Sequence, residues 1–193
     1  EAAVDIGGEC VVGAEIGSTE LEFVPGKIKP GKFTFEIGTA GSTSLLLQTI
    51  LLPLCMTEGD STLTIRGGTH VPWSPCYHYL SWQWIPYLTK MCFTIDVALN
   101  LAGYYPKGGR EIKASLHPVG EIFPLKLDSR GKVYQIRGIS AVSNLPRKIA
   151  ERQRNQVLNR LGSQFLLNDI RIAHLPSKHK GTLLLLHLES EHA

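Results

Sequence analysis

Two glycine-bearing turns in this chain stand where a strand pattern hands over to a helix pattern, the placement in which backbone can hold a phosphate. The first, Gly38-Thr39-Ala40-Gly41-Ser42, precedes an almost wholly apolar segment. Unpaired N–H groups and the helix dipole favour an anion there, and glycine lets it approach the backbone. An ordinary N-cap by Ser42 or Thr43 accounts for the same residues without a ligand. The run is no Walker loop, because the lysine of G-x-x-x-x-G-K-[ST] is missing. The second turn, Gly67-Gly68-Thr69, leads through Pro75 into another helix pattern. Gly41 and Ser42 from one turn with Gly68 and Thr69 from the other would line one cleft for phosphates or a nucleotide. Pro75 and Tyr79 offer flat faces to a base, or stiffen the loop and pack in the core. Gln48 lies in the apolar helix, where its amide either caps backbone nearby or points into a polar site.

Other groupings carry less. His70, Cys76 and His78 lie close enough to raise zinc, but a structural zinc site needs four ligands in two pairs and only one cluster exists; no metal-ligand set is assigned. His174 and His179 flank a polar loop and read as surface histidines, and no G-x-S-x-G elbow is present. The segment 146–161 carries Arg147, Lys148, Arg152, Arg154 and Arg160 against one acid, Glu151. With Leu145, Ile149, Val157 and Leu161 on one face, these cations are free either for solvent or for RNA phosphates.

The elements that must position these residues follow from periodicity. Strands are expected at 20–24, 32–37, 61–66, 93–101, 110–116, 132–137 and 182–188, and helices at 43–56, 77–91 and 146–161. Pro53 is expected to kink the first helix or end it early, and 138–145 is expected as the loop between the strand at 132–137 and the third helix; Pro86 interrupts the second helix, and Pro146 suits the first turn of the third. A hairpin is expected to join 93–101 to 110–116. Strands that alternate with helices, yet also pair through short hairpins, indicate an α+β class.

Twenty Lys and Arg against seventeen Asp and Glu leave a net +3, but the charge is unevenly spread. Residues 1–60 hold nine acids and three bases, whereas 125–160 hold two acids and nine bases. This step marks 125 as a boundary between an acidic and a basic part. The longest apolar stretch, Leu45–Met56, is far short of the roughly 20 residues of a membrane span. No signal peptide opens the sequence, and four scattered cysteines favour a reducing compartment, so a soluble cytoplasmic protein is expected.

Seven collinear stretches resemble the RNA 3′-terminal phosphate cyclase family: GAEIGSTELEFVPG (13–26), FEIGTAGSTSLLLQTILLPL (35–54), RGGTHVPWSP (66–75), GYYPKGG (103–109), RGKVYQIRG (130–138), LPRKIAER (145–152) and LESE (188–191). The resemblance implies a core of repeated α/β units, on the plan shared with EPSP synthase, over 1–124, and the start of a smaller inserted α/β domain over 125–193. It implies an ATP-dependent reaction with a divalent metal, Mg or Mn. A histidine takes AMP from ATP, AMP passes to an RNA 3′-phosphate, and the neighbouring 2′-OH displaces it to close a 2′,3′-cyclic phosphate. Gln48 falls on the family's glutamine for ATP phosphates and metal, and Pro75 and Tyr79 fall on its adenine-pocket positions. The nucleophilic histidine is expected beyond Ala193, and none of the seven histidines here takes that role. Arg110 stands where a third glycine commonly follows Gly108-Gly109, His78 where an acid is common, and Cys76 where a proline is common. An alternative reading is a cyclase-like protein that binds pre-ribosomal RNA and protein partners without catalysis.

Overall fold

The computed structural model describes residues 1–38, 40–163 and 167–192, with nothing said of the side chains of 167 and 168. A short helix α1 (Ala2–Asp5) leads into a two-stranded antiparallel ribbon, β1 (Gly8–Val12) with β2 (Glu22–Pro25). The period-two run KFTFE forms β3 (Lys32–Glu36), which lies parallel to β4 (Ser61–Gly67). A parallel pair needs a crossover, and α2 (Thr43–Cys55) supplies it. Pro53 lies inside α2. Of the two effects expected of it, ending the helix early is not seen, since two more helical residues follow.

The segment expected as one helix over 77–91 is three pieces. It comprises α3 (Tyr77–Tyr79), a π-helical turn (Leu80–Trp84) and α4 (Ile85–Lys90), with Pro86 in the first turn of α4 where no N–H is required. The expected hairpin is present: β5 (Ile95–Leu99) pairs antiparallel with β6 (Arg110–Leu116). β6 in turn pairs antiparallel with β4, so the sheet order is β3-β4-β6-β5. Leu47, Ile50, Leu51 and Leu54 of α2 are fully buried with Leu63, Ile65, Ile112 and Leu116 of the sheet. Burial at about 1.5–3 kcal/mol per large apolar side chain makes this layer the main store of stability. On the opposite, solvent face, Arg66 bridges Glu36 and Glu111 across three strands.

Residues 117–132 contain no strand or helix, and the chain then builds a second, three-stranded sheet. Its central strand β7 (Val133–Ser143) runs parallel to β8 (Leu167–His174) and antiparallel to β9 (Gly181–Ser190), with α5 (Lys148–Leu161) as the crossover. The expected loop over 138–145 is therefore mostly strand. Gly138 is read by its packing rather than by turn chemistry, because a Cβ there would meet the Leu185 carbonyl at 2.7 Å. β1, β8 and α1 have no counterpart in the sequence reading.

The two sheets are tied by polar contacts. Ala102 N donates to the Pro176 carbonyl at 2.8 Å, and the Tyr104 hydroxyl meets Ser143 Oγ at 3.1 Å. His187 Nε2 donates to Gln83 Oε1 at 2.8 Å, joining β9 to the π-helical turn. Among the described residues no helix is long and apolar enough to cross a membrane.

Candidate functional site

The two glycine turns meet. At the C-terminal end of β4, Gly68 N donates to the Gly41 carbonyl at 2.7 Å, and Thr43 N donates to the Gly68 carbonyl at 2.9 Å. Thr43 Oγ1 donates to the same carbonyl at 3.0 Å. Ser42 is the N-cap of α2, its hydroxyl accepting from Leu45 N at 3.2 Å. Both glycines are there for contact between the loops. A Cβ on Gly67 would lie 2.6 Å from the Gly41 carbonyl oxygen, and one on Gly68 would lie 2.6 Å from the Ala40 carbonyl oxygen. Cap and loop junction thus take up the N–H groups of Thr43, Leu45 and Leu46 at the start of a thirteen-residue helix whose dipole is positive at this point.

Thr69 does not line the cleft as the sequence suggested. It is 1% exposed, and its hydroxyl accepts from Gly103 N at 2.8 Å. The same oxygen lies 2.8 Å from His70 Nδ1, and His70 Nε2 lies 2.9 Å from His78 Nδ1. One assignment of protons uses every group. Thr69 donates to His70 Nδ1, and the Nε2–H of His70 donates to His78 Nδ1. Thr69 is therefore a strut that fixes the second loop against Gly103, whose carbonyl also accepts from Thr69 N and His70 N. Burial lowers His70 to about 3, with the charge of His78 adding to it; burial, then Arg171, lowers His78 to about 4. Both rings are neutral at pH 7. They bond to each other, and among the described residues no group of three or more His, Cys, Asp or Glu side chains that could hold a metal ion is found.

Gln48 sits one turn and a half into α2, half-buried, on the side it shares with Ser44, four residues earlier. The Ser44 hydroxyl is buried and has no hydrogen-bond partner. Pro75 is half-buried just ahead of α3, and Tyr79, at the end of α3, keeps 39% of its surface exposed. Between these two and the glycine loops stands Trp73, fully exposed and at φ 60°, a conformation rare for a bulky residue. The sequence reading passed over Trp73, and its exposure had no signal beyond its place between two prolines.

The basic helix α5 lies on the second sheet. Arg147 is exposed and pairs with Glu151 at 3.1 Å, and Arg152 is exposed beside Arg160 along a groove of about 660 Å³. Arg154 is half-buried, with its Nε buried and unpaired. Of the four arginines named from sequence, Arg147, Arg152 and Arg160 face solvent and Arg154 is partly enclosed.

A family model described as RNA 3′-terminal phosphate cyclase matches residues 1–187. Among curated proteins, the RNA 3′-terminal phosphate cyclase of Archaeoglobus fulgidus is 37% identical over 191 residues, covering 96% of this chain and 56% of the relative. That of Koribacter versatilis is 38% identical over 161 residues, covering 83% and 45%. That of Staphylothermus marinus is 42% identical over 144 residues, covering 74% and 40%. The chain spans about half the length of these relatives. A match across nearly all of the chain shows that it belongs to the RNA 3′-terminal phosphate cyclase family.

Proposed function

We infer that the chain belongs to an enzyme that uses ATP to convert an RNA 3′-phosphate into a 2′,3′-cyclic phosphate, and that it contributes the nucleotide-binding part. The observation that carries this reading is the junction of the Gly41 and Gly68 loops at the N-terminus of α2, with Gln48 on the helix above it. The loops bring a positive helix end and polar side chains to one place, as an ATP phosphate tail requires.

In this reading the chemistry on each phosphorus is displacement. A histidine nitrogen bonds to the α-phosphorus of ATP as the P–O bond to pyrophosphate breaks. An RNA 3′-phosphate oxygen takes the AMP as that P–N bond breaks, and the 2′-OH, giving up its proton, closes the ring as the P–O bond to AMP breaks. Catalysis of that type is mostly positioning and charge neutralisation. In this reading Gln48 would orient the phosphate tail, Pro75 and Tyr79 would flank the adenine, and the RNA end would approach along exposed Arg147 and Arg152. The residues fit a phosphate tail, since buried Ser44 Oγ lacks a partner beside Gln48. A divalent metal would neutralise phosphate charge, with the Gln48 amide oxygen as its protein contact. His70 and His78 are paired with each other in the interior; in this reading the nucleophile is the family's late histidine, which the resemblance puts beyond Ala193. Residues 125–193 fit the start of the family's inserted domain.

The test is labelling of the natural full-length protein with ATP tagged in its α-phosphate. The expected result is an acid-labile protein–AMP adduct that forms with metal and is weakened in Gln48→Ala. Absence of label with ATP and metal, while RNA is still bound, would favour a non-catalytic RNA-binding protein instead.

A further inference from the structure

Arg110 is a buried cation with no counter-charge among the described residues. It opens β6 directly opposite Gly67, and only 8% of it is exposed. Its Nη1 donates to the Gly109 carbonyl at 2.5 Å, and its Nε is buried with no partner. Among the described residues no ion pair includes it. A guanidinium withdrawn from water and facing no carboxylate is costly to keep, and an anion would repay it.

A second orphan lies on the same face. Gly67 and Arg110 are cross-strand partners, so their Cβ directions leave the sheet on one side. On that side a Cβ at Gly67 would meet the Gly41 carbonyl at 2.6 Å and Thr43 Cγ2 at 3.2 Å, which is the start of α2. The next residue, Ser44, is 1% exposed and its hydroxyl has no partner. The stem of Arg110 is held in place by Gly103, where a Cβ would come within 2.9 Å of Arg110 Cβ. Two buried, unpartnered donors and the positive end of a long helix therefore gather at one end of the sheet.

We propose that Arg110, the Ser44 hydroxyl and the N-terminus of α2 form a binding site for a phosphate oxyanion, with Gln48 at its edge. The guanidinium supplies charge and directional N–H groups, and Ser44 donates to a further oxygen. The site rests on the cyclase reading only for what carries the phosphate, which is either the polyphosphate tail of a nucleotide or the terminal phosphate of an RNA.

The test titrates the chain with inorganic pyrophosphate and, separately, with a 3′-phosphorylated oligoribonucleotide beside its 3′-hydroxyl twin, following both calorimetric affinity and Tm. Pyrophosphate is expected to raise the Tm of the unsubstituted chain. Arg110→Met is expected to melt at or above it without anion, because the unpaired charge is gone, and to bind pyrophosphate about tenfold or more weakly. Ser44→Ala is expected to weaken pyrophosphate severalfold. A nucleotide-type site loses pyrophosphate while the two RNAs stay equal; an RNA-end site loses the preference for the 3′-phosphate. Arg110→Met that melts lower and binds every probe as before overturns the proposal. Should that variant not fold, unchanged pyrophosphate affinity in Ser44→Ala overturns it. Failure of the cyclase reading is distinguishable, because pyrophosphate binding would persist without adenylylation.

Discussion

Thr69→Val removes one oxygen from the interior and little else. Valine fills the space of threonine, so packing is kept, but Gly103 N–H and His70 Nδ1 lose their shared partner. Both lie in a region where Thr69 is 1% and His70 8% exposed, so water does not readily replace the hydroxyl. An unsatisfied buried polar group costs about 1–3 kcal/mol, so the pair amounts to about 2–6 kcal/mol. Thr69→Ser keeps the oxygen and gives up one methyl, worth about 1 kcal/mol. Urea unfolding at pH 7 measures both, and the comparison is sound where the m-values agree. The expected order is Thr69→Val well below Thr69→Ser. A valine variant as stable as the serine variant, or more so, would refute the assignment of Thr69 as the strut of the second loop.

Acid should destabilise the chain through the buried histidine pair. Their folded values, about 3 and about 4, lie below the ordinary 6.5, so the unfolded chain takes up protons first. Stability is therefore complete above pH 6.5 and falls as pH drops toward 4, by up to about 1.4 kcal/mol per pH unit for each proton; His78→Asn should flatten the slope measured by urea unfolding across that range. Gly68→Ala forces a Cβ against Val71 Cγ1 and the Ala40 carbonyl, and should cost about 1–3 kcal/mol by the same assay. A neutral effect would mean that the two loops are not in contact. Joint reversal of Arg147 and Arg152 to Glu should lower RNA affinity and reduce its dependence on salt, because two exposed cations of α5 are lost. An unchanged salt slope would remove α5 from the RNA path.

Much of the main sheet was legible because its cues are local. KFTFE and STLTIR carry strand alternation, and the apolar run from Thr43 to Cys55 sits behind a serine cap. The junction of the two glycine loops was also legible, since both follow strands that the α2 crossover makes neighbours. Several features were not. The first half of β7 reads as a strand, but its second half, from Gly138, reads as a loop; there Ser140 Oγ donates to the Ala150 carbonyl and Ser143 Oγ to the Leu175 carbonyl, which lets polar residues occupy a buried strand. Thr69 read as a phosphate ligand because its neighbours are glycines, whereas Gly103, 34 residues later, claims its hydroxyl. Arg110 stood out from sequence only as a departure from a glycine pattern. Its burial without a counter-charge depends on Gly67 lying opposite it, a register that no local window contains.

The most direct measurement of the central claim is ring closure itself. An oligoribonucleotide with a 3′-phosphate is incubated with the natural full-length protein, ATP and a divalent metal, and its end is analysed for resistance to phosphatase. The account predicts a 2′,3′-cyclic end formed with release of AMP and pyrophosphate, strongly slowed in Gln48→Ala. A 3′-phosphate that stays phosphatase-sensitive, with no ATP consumed, would contradict it.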